Sequence, residues 1–567
     1  MRSTLTPGPG SATVPPDMVG GQLGAKAVAE LERSVMSFKT RRACAVIAAG
    51  ALAVSVGFAS PAFAAPNNNS VKKLTKAVTL EGVMNHLEAL QGIADQYGDR
   101  AAGRAGFGAS VDYVVDQLEG AGYTPEVQSF EFPYYEENSE LIRISPNPTT
   151  FVDGSDFLRN SFDSGIPEGT ATGPLVPVDV VIPAAGLPAG SNTSGCEATD
   201  FAGFPVGAIA LMQRGVCGFA VKALNAQAAG AAGAVIMNEG QPGRDGLISM
   251  IGDATGLTIP VVGTTSATGE NLYSTPGATV KVTVDYTTET RTAYNVIAET
   301  EGGNDANTVM AGAHLDSVQD GAGINDNGTG SAALLETAIQ MSKTKPNNTV
   351  RFAWWGAEEE GLLGSEHYVA NLTEDQAADI SLYLNFDMIG SPNYFFGVYD
   401  GDDSSGTATV EIPEGSAAIE DVFEGFYSSR GLPYQDTDFS GRSDYGPFIA
   451  VGIPAGGLFT GAEGVKTADE AALYGGLPGE AYDPCYHAPC DNLTGEGQDA
   501  PLYDALNAEY DLVGNVNTFA LDVNSDALAA AVITFAFDTS TVNGVRSPGK
   551  SHNSGKSAHA LQEESAN

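Results

Sequence analysis

The chain has 567 residues, of which 43% are hydrophobic, so it is too long for one compact core and too apolar for disorder throughout. Its 70 acidic and 27 basic residues give a formal net charge of −43, which argues against nucleic acid or an anionic membrane surface as a partner. These bounds predict two folded domains with unstructured ends.

The N-terminus carries the three-part pattern of a secretory signal. Three basic residues, Lys39, Arg41 and Arg42, precede an apolar run that ends in the small-residue pattern "AFA". We expect residues 36–64 to be a signal peptide that is cleaved after its last residue, and residues 1–35 to be a non-native upstream extension. The mature protein would then be secreted, a monomer, and free of the membrane.

The first helical patterns follow a short polar linker. The segments "TLEGVMNHLEALQGIADQY" and "GFGASVDYVVDQLEGAGY" place apolar residues at helical spacing, and "TPEVQSFEF" alternates as a strand does. We assign residues 70–136 to the first part of the larger domain.

Residues 137–286 differ in composition from the rest of the chain. Gly, Pro, Val and Ala dominate, charge is sparse, and short strand-like runs surround one Ala-rich helix, "FAVKALNAQAAGAAG". The sequence of this segment contains no cluster of His, Asp and Glu. The pattern predicts a small β-rich accessory domain without chemistry of its own.

From Thr292 the chain alternates between strands and helices. This alternation predicts an α/β domain over residues 287–540, with a mainly parallel mixed sheet sandwiched by helices. In such sheets the functional groups gather at the carboxyl ends of the strands, and "AGAHLD", "FAWWGAEE" and "LNFDMIG" each end a strand in charged residues. We expect the polar residues 541–567 to be a disordered tail.

Four cysteines remain once the signal peptide is removed, and an even number in an exported protein indicates two disulfides. Proximity in sequence favours the pairs Cys196–Cys217 and Cys485–Cys490. A zinc knuckle is the alternative, but the cysteines lack the spacing that it requires.

The first candidate site residues lie in "GAHLDSVQDGAGINDNGTGS". His314 ends a predicted strand, and Asp316 is close enough to accept a hydrogen bond from the imidazole, as carboxylates do for metal-bound histidines. Asp326 follows in a turn whose glycines let the backbone fold back toward His314. Taken alone, a histidine in a Gly-rich loop also fits a purely structural role.

Three further segments add ionisable groups. Glu358 and Glu359 end one apolar strand, and Asp387 ends another, where an ionised group is costly unless it is paired or coordinated. His487 lies between two cysteines in "CYHAPC". Acidic turns, a capping aspartate and an exposed loop histidine are the structural alternatives. As a set, these groups suit zinc with an open position for water, and a shared carboxylate can bridge two zinc ions.

These segments, with "GRSDYGPF" and "GGLFTGA", resemble the secreted double-zinc aminopeptidases of the Streptomyces griseus type, in the same order and at similar spacing. The resemblance implies a zinc-exopeptidase (phosphorylase/hydrolase-like) fold and two zinc ions per chain. It implies that His314 and Asp387 hold one zinc ion and that Glu359 and His487 hold the other. Asp326 would bridge the two ions.

Further roles follow from the same resemblance. Glu358 would be the general base, and Asp316 would orient His314. Tyr486 would help to stabilise the oxyanion, and Arg442 would lie beside the bound amino terminus of a peptide substrate. An apolar pocket for the first side chain would be lined by Met388, Gly441 and Phe459. Such a pocket implies a preference for large aliphatic residues such as leucine, while the acidic composition leaves a basic preference open.

The middle segment resembles a protease-associated (PA) domain inserted into this catalytic fold. The compact Streptomyces enzyme lacks the insertion, which larger relatives have. The compact enzyme binds calcium, and Asp522 and Asp526 match two of the carboxylates that it uses. The calcium ligand at the N-terminus of that enzyme has no recognisable counterpart in this sequence. Tyr445 stands where that enzyme has a histidine.

Other functions of the fold remain as alternatives. Carboxypeptidases need a cationic group for the terminal carboxylate of the substrate, and glutaminyl cyclases use a single zinc ion. A non-catalytic, receptor-like peptide-binding protein would lack one or more zinc ligands, and no ligand is missing from this sequence. We therefore expect a metallo-aminopeptidase.

Overall fold

The computed structural model describes residues 67–162, 165, 167–182, 188–241, 243–408 and 410–545. The predicted upstream extension and signal peptide lie outside the described residues, as does the part of the predicted tail after residue 545.

A helix at the start of the described chain shows how local sequence sets its bounds. Helix α2 begins after Thr79, whose hydroxyl accepts a hydrogen bond from the backbone N–H of Gly82 at 3.1 Å, and it ends at Gly98, which has a φ of 98°. These are the capping groups that helix termini prefer. The helices are α1 Val71–Ala77, α2 Leu80–Tyr97, α3 Ala105–Ala121, α4 Phe219–Ala228, α5 Ser266–Tyr273, α6 Gly330–Met341, α7 Leu363–Ala370, α8 Glu374–Asp379, α9 Ser416–Arg430, α10 Tyr445–Ala450, α11 Ala468–Tyr474, α12 Ala500–Asn507, α13 Thr518–Phe537 and α14 Ser540–Asn543.

The strands fall into two large sheets and one small hairpin. They are β1 Glu126–Glu137, β2 Glu140–Ser145, β3 Thr149–Phe151, β4 Phe157–Arg159, β5 Gly169–Pro177, β6 Ile209–Gln213, β7 Gly233–Met237, β8 Val261–Thr264, β9 Thr279–Val284, β10 Tyr286–Glu299, β11 Thr308–His314, β12 Val350–Trp355, β13 Ile380–Phe386, β14 Gly397–Tyr399, β15 Gln435–Thr437, β16 Ala455–Phe459, β17 Leu512–Val513 and β18 Val516–Asn517.

The larger domain is built on an eight-stranded mixed sheet with the order β1-β10-β12-β11-β13-β16-β14-β15. Its centre, from β12 through β11 and β13 to β16, is parallel. Every residue of β11 and β13 is buried, because helices cover both faces of the sheet. Helices α2, α3, α6 and α13 contribute to the core on one face, and α7 and α10 to the core on the other. The predicted sandwich of helices around a mainly parallel sheet is confirmed.

Helix α13 is the one helix in the described part of the chain that is long and apolar enough to cross a membrane. Its mean hydropathy is 1.4, and 72% of this apolar stretch is buried inside the protein. It packs against α1, α6 and α9. A largely apolar helix that is mostly buried against other helices is a core helix, and we assign α13 to the core.

The second sheet, with the order β3-β2-β9-β5-β6-β7-β8-β4, lies in the chain segment between β1 and β10. These two long strands pair antiparallel from Glu126 opposite Ile297 to Glu137 opposite Tyr286. The chain leaves the larger domain at the end of this ribbon and returns along it. The accessory segment is therefore an insertion with its own sheet and its own apolar clusters.

Both expected disulfides form. Cys196 and Cys217 are joined within the inserted domain, and Cys485 and Cys490 are joined around the His487 loop. The tail expected from residue 541 starts inside the short helix α14, in which Val542 is buried.

Candidate active site

Three neighbouring strands deliver four of the candidate residues to one edge of the sheet. His314 is the last residue of β11, the pair Glu358 and Glu359 follows β12, and Asp387 follows β13. Strand β11 lies between the other two, so their carboxyl ends meet at this edge. The sequence pattern of charged strand ends predicted this convergence.

Asp326 reaches the same edge from the loop before α6. Gly323, with a φ of 58°, makes the necessary turn, and a Cβ there would lie 2.4 Å from the Cβ of Ser317. Only glycine fits this backbone and this close approach. The turn brings Asp326 back toward His314, as expected from the glycine-rich sequence.

The two carboxylate oxygens of Asp326 contact two different histidines. Its Oδ1 is 3.2 Å from Nε2 of His314, and its Oδ2 is 3.2 Å from Nε2 of His487. Asp387 Oδ1 lies 3.4 Å from the first ring, and Glu359 Oε2 lies 3.0 Å from the second. The five side chains thus form two half-sites, each with one histidine and one carboxylate, joined by Asp326.

Two buried oxygens at this site lack hydrogen-bond partners. They are Oε1 of Glu359 and Oδ1 of Asp387, one in each half-site. A buried carboxylate oxygen without a donor is costly unless a cation is its partner. Imidazole nitrogen and carboxylate oxygen are donors that zinc accepts, and two groups of three at this site could hold a metal ion: His314 with Asp326 and Glu359, and His314 with Glu358 and Asp387.

The two histidines are surrounded by carboxylates, so the local charge around their rings is negative. Burial opposes protonation of His314, but the carboxylates of Glu358 and Asp387 raise its pKa well above the usual value. Burial likewise acts against protonation of His487, but hydrogen bonds to Asp326 and Glu359 raise its pKa to about 10. Bound cations would relieve this excess and leave both rings neutral, as metal ligation requires.

The carboxylates at the site do not titrate alike. Burial alone would raise the pKa of Asp326, but its hydrogen bonds with the two histidines hold it below the usual range. Burial raises the pKa of Glu359 to about 7, with a further contribution from the charge of Asp326. Burial also raises the pKa of Glu358, well above the usual value, and the charge of Asp387 acts in the same direction. Glu358 and Glu359, whose pKa values are raised, can therefore hold a proton more readily than Asp326 can.

Asp316 supports the site through different atoms from those expected. Its carboxylate accepts the backbone N–H groups of Glu358 at 3.2 Å and Glu359 at 3.3 Å. Nδ1 of His314 is 3.1 Å from the backbone carbonyl oxygen of Asp316, whereas the carboxylate is 3.7 Å away. The shorter contact of the imidazole is thus with the carbonyl of Asp316, while the carboxylate of Asp316 caps the turn after β12.

Two supporting residues were missed by the sequence analysis. Ser443 donates a hydrogen bond to Oδ2 of Asp387 at 2.6 Å and accepts one from Asn385 at 2.8 Å. Asp491 accepts the backbone N–H groups of Asn325 at 2.8 Å and Asp326 at 3.0 Å. Ser443 lies inside the segment "GRSDYGPF" and Asp491 directly follows "CYHAPC", but nothing in the linear pattern says that they reach Asp387 and the Asp326 loop.

The comparisons with known proteins agree with this geometry. Residues 295–501 match the family described as Peptidase family M28, and residues 171–272 match the PA domain. An aminopeptidase of Pseudomonas aeruginosa is 44% identical over 475 residues, which are 83% of this chain and 83% of that protein. The chain belongs to peptidase family M28. Leucine aminopeptidase 2 of Trichophyton tonsurans is 39% identical, over 82% of this chain and 85% of that one.

Solved structures of aminopeptidases match as well. The aminopeptidase from Aneurinibacillus sp. strain AM-1 has a TM-score of 0.50 at 27% identity, covering 82% of this chain and 95% of that chain. BSAP, a zinc aminopeptidase from Bacillus subtilis, has a TM-score of 0.52 at 23% identity and covers 80% of this chain and 94% of that chain. At this low identity, the similarity shows only that the two proteins share a fold. Membership of peptidase family M28, the PA domain and the class of metallo-aminopeptidase are confirmed.

The predicted substrate residues of this M28 peptidase line a single cleft beside the five candidate ligands. The cleft has a volume of about 770 Å³. Its lining includes all four residues predicted to contact substrate, together with Tyr486: Met388, Gly441, Arg442 and Phe459. Tyr445, at the position of the histidine in the compact relative, accepts the backbone N–H of Gly441 at 2.9 Å and so shapes the wall of the cleft.

The two predicted calcium carboxylates lie on α13, apart from the cleft. Nη2 of Arg430 is 2.9 Å from Oδ2 of Asp526, so a guanidinium already supplies the positive charge there. Burial raises the pKa of Asp526 to about 6 and also raises that of Asp522. This pairing with arginine does not favour the predicted calcium site.

Proposed function

We propose that this M28 peptidase is a secreted aminopeptidase with two zinc ions that removes the N-terminal residue of peptides, preferring large apolar residues such as leucine. The observation that carries the proposal is the central position of Asp326, whose two oxygens face two histidines in two half-sites. A single bridging carboxylate between two histidine-carboxylate pairs is the arrangement that a pair of zinc ions needs.

The ligand assignment follows the half-sites. His314 and Asp387 would hold one zinc ion, Glu359 and His487 the other, and Asp326 both. When bound, such a pair lowers the pKa of a water molecule to about 7 and polarises the carbonyl of the peptide bond. The carboxylate of Asp316 accepts the backbone N–H of Glu359 in the turn after β12, and this hydrogen bond would keep the Glu359 side chain directed at its half-site.

Glu358 is assigned as the general base. Its Oε2 is 3.9 Å from Nε2 of His314, so the carboxylate points into the first half-site. Burial keeps its pKa raised, which favours a group that takes a proton from the attacking water and returns it to the leaving amine. Glu358 and Asp387 together would also recognise the terminal ammonium of the substrate.

Tyr486 is assigned to the oxyanion. Burial raises the pKa of Tyr486, with contributions from the charges of Asp326 and Glu359, so its hydroxyl stays protonated and able to donate. A donor directed at the carbonyl oxygen stabilises the negative charge that develops there in the transition state.

The preference for leucine is supported by the apolar part of the cleft wall, which Met388 and Phe459 provide beside Gly441. The related Trichophyton protein is named a leucine aminopeptidase. Secretion is supported by the N-terminal signal pattern and by two disulfides, which persist in oxidising compartments. We assign residues 70–136 and 287–540 to the peptidase domain and residues 137–286 to the inserted domain.

Metal content and turnover should be measured on the same purified sample. We expect two zinc ions per chain by elemental analysis, hydrolysis of leucyl-p-nitroanilide, loss of activity on chelation and recovery with zinc. Acetyl-leucyl-p-nitroanilide is the matched control and should not be cleaved, because its amino terminus is blocked. Bound zinc without turnover would favour the receptor-like alternative, and equal cleavage of the blocked substrate would refute an aminopeptidase.

A further inference from the structure

An exposed ion pair lies at the mouth of the cleft. Nη1 of Arg442 is 2.9 Å from Oε1 of Glu463, and the two side chains are 62% and 56% exposed. An ion pair this exposed contributes little to folding stability, because water and salt screen it. Its position at the cleft therefore calls for a role other than stability.

The same guanidinium makes a second contact. Nη2 of Arg442 lies 3.2 Å from the hydroxyl oxygen of Tyr486. Arginine can only donate, so the oxygen of Tyr486 must accept. The hydroxyl proton then has to point away from Arg442, and no second hydrogen-bond partner for this hydroxyl occurs in the described ranges of the chain.

The ring of Tyr486 is held in place independently of that contact. It stacks on the ring of His487 with centroids 3.8 Å apart and an interplanar angle of 23°. Tyr486 and His487 line the cleft together with Asp326 and Glu359. The stacked ring fixes the hydroxyl oxygen at the wall of the cleft, and Arg442 occupies one side of that oxygen.

The backbone that carries Glu463 is tied to the segment that leads to Tyr486. The N–H of Tyr482 donates to the carbonyl of Gly464 at 2.8 Å, and the N–H of Asp483 donates to the carbonyl of Ala462 at 2.9 Å. The backbone of Glu463 is therefore held at a fixed distance from the segment that leads to Tyr486. From there the Glu463 carboxylate can hold Arg442 between the two residues.

We propose that Glu463 is a positioning residue: by anchoring Arg442, it orients the hydroxyl of Tyr486 as a hydrogen-bond donor toward the carbonyl oxygen of the scissile peptide bond. The proposal rests on the function proposed above. It assigns Arg442 a task beyond a place beside the amino terminus of the substrate, and it gives Glu463 a role in turnover rather than in binding.

A double-mutant cycle tests the proposal with leucyl-p-nitroanilide as substrate. We expect Glu463→Gln to lower kcat by about tenfold with KM nearly unchanged, since loss of a direct oxyanion donor costs roughly 100-fold or more. In a Tyr486→Phe background, Glu463→Gln should have no further effect on kcat. Zinc content and melting temperature should stay at wild-type values in both single variants.

Glu299→Gln is the matched control, because it removes the acidic partner of Arg351 from a partly exposed pair away from the cleft. It should leave kcat unchanged. Raising the salt concentration should lower kcat of the wild type by screening the exposed pair, but should leave that of Glu463→Gln unaffected.

The outcomes separate this inference from the proposed function. A wild-type enzyme that cleaves the substrate, combined with an unchanged kcat in Glu463→Gln, overturns the inference alone. Equal losses in the wild-type and Tyr486→Phe backgrounds also overturn it, as does a rise in KM without a fall in kcat. An inactive wild-type enzyme containing zinc overturns the proposed function, and the role of Glu463 with it.

Discussion

Asp491 accepts the backbone N–H of Asp326 at 3.0 Å, and both side chains are buried. A carboxylate that directly follows the Cys485–Cys490 loop therefore holds the backbone of the residue that joins the two half-sites. Asn515 donates to Asp491 at 2.8 Å and to Asp483 at 2.9 Å, which extends the support to both ends of the disulfide loop. The disulfide loop and the Asp326 turn are thus one hydrogen-bonded unit.

Replacing Asp491 with Asn should weaken metal binding. The amide offers one acceptor oxygen in place of two, so one buried N–H of the Asp326 turn loses its partner, at a cost of about 1–3 kcal/mol in the free energy of unfolding. We expect zinc affinity to fall by roughly 10–100-fold, as measured by competition with a chromogenic chelator. Asp504→Asn, on the exposed face of α12, is the control, and equal zinc affinity in both variants would contradict the prediction.

Replacing Glu358 with Gln should separate metal binding from turnover. The amide cannot take a proton, so we expect kcat to fall by about 100- to 10,000-fold while zinc content stays at the wild-type level. Steady-state kinetics and elemental analysis on the same preparation measure both. The neighbouring Glu360→Gln serves as the control within the same acidic run. Near-normal turnover in Glu358→Gln would refute the assignment of the base.

Replacing Phe459 with Ala should change the side-chain preference. Phe459 lines the cleft and packs edge-on against Phe395 with ring centroids 6.1 Å apart, so its loss removes part of the apolar wall and widens the cleft. We expect kcat/KM for leucyl-p-nitroanilide to fall by about 10- to 200-fold, with a smaller loss for the phenylalanyl substrate. A panel of aminoacyl-p-nitroanilides measures this, and a wild-type enzyme fastest on lysine or arginine would defeat the apolar pocket.

Glu420 makes folding stability depend on pH in a predictable direction. Burial raises its pKa from 4.5 to about 8, and the nearby charges of Asp402, Asp400 and Glu424 act in the same direction. Between pH 4.5 and 8 the folded state holds more protons on this group than the unfolded state does, so its contribution to stability falls as pH rises through that window.

The substitution Glu420→Gln should remove this dependence. The amide oxygen can still accept the N–H groups of Gly401 and Asp402, which Glu420 Oε2 accepts at 2.9 and 3.2 Å. We expect a higher melting temperature than that of the wild type at pH 8 and nearly the same one at pH 4.5, by differential scanning fluorimetry. A constant difference across this range would show that Glu420 does not titrate there.

The sheet and the five candidate ligands were accessible from sequence because their signals are local. An apolar run that stops at His314, or at Asp387, marks a buried strand that ends at a polar edge, whatever the rest of the chain does. The glycine of the Asp326 turn is a local signal as well, since only glycine tolerates that conformation and that approach to Ser317. The pairing of the cysteines followed from their separation along the chain.

The hydrogen bonds that orient these side chains could not be derived from local sequence signals, because they join residues far apart in the chain. Ser443 lies 56 residues from Asp387, and Asp491 lies 165 residues from Asp326. The carboxylate of Asp316 accepts two backbone N–H groups of the turn after β12, a pairing that its position two residues from His314 does not indicate. The sequence alone thus determined which candidate side chains stand at the polar ends of neighbouring strands. Only the tertiary structure decided which atoms face one another, because hydrogen bonds depend on distances and directions between distant segments that no linear spacing encodes.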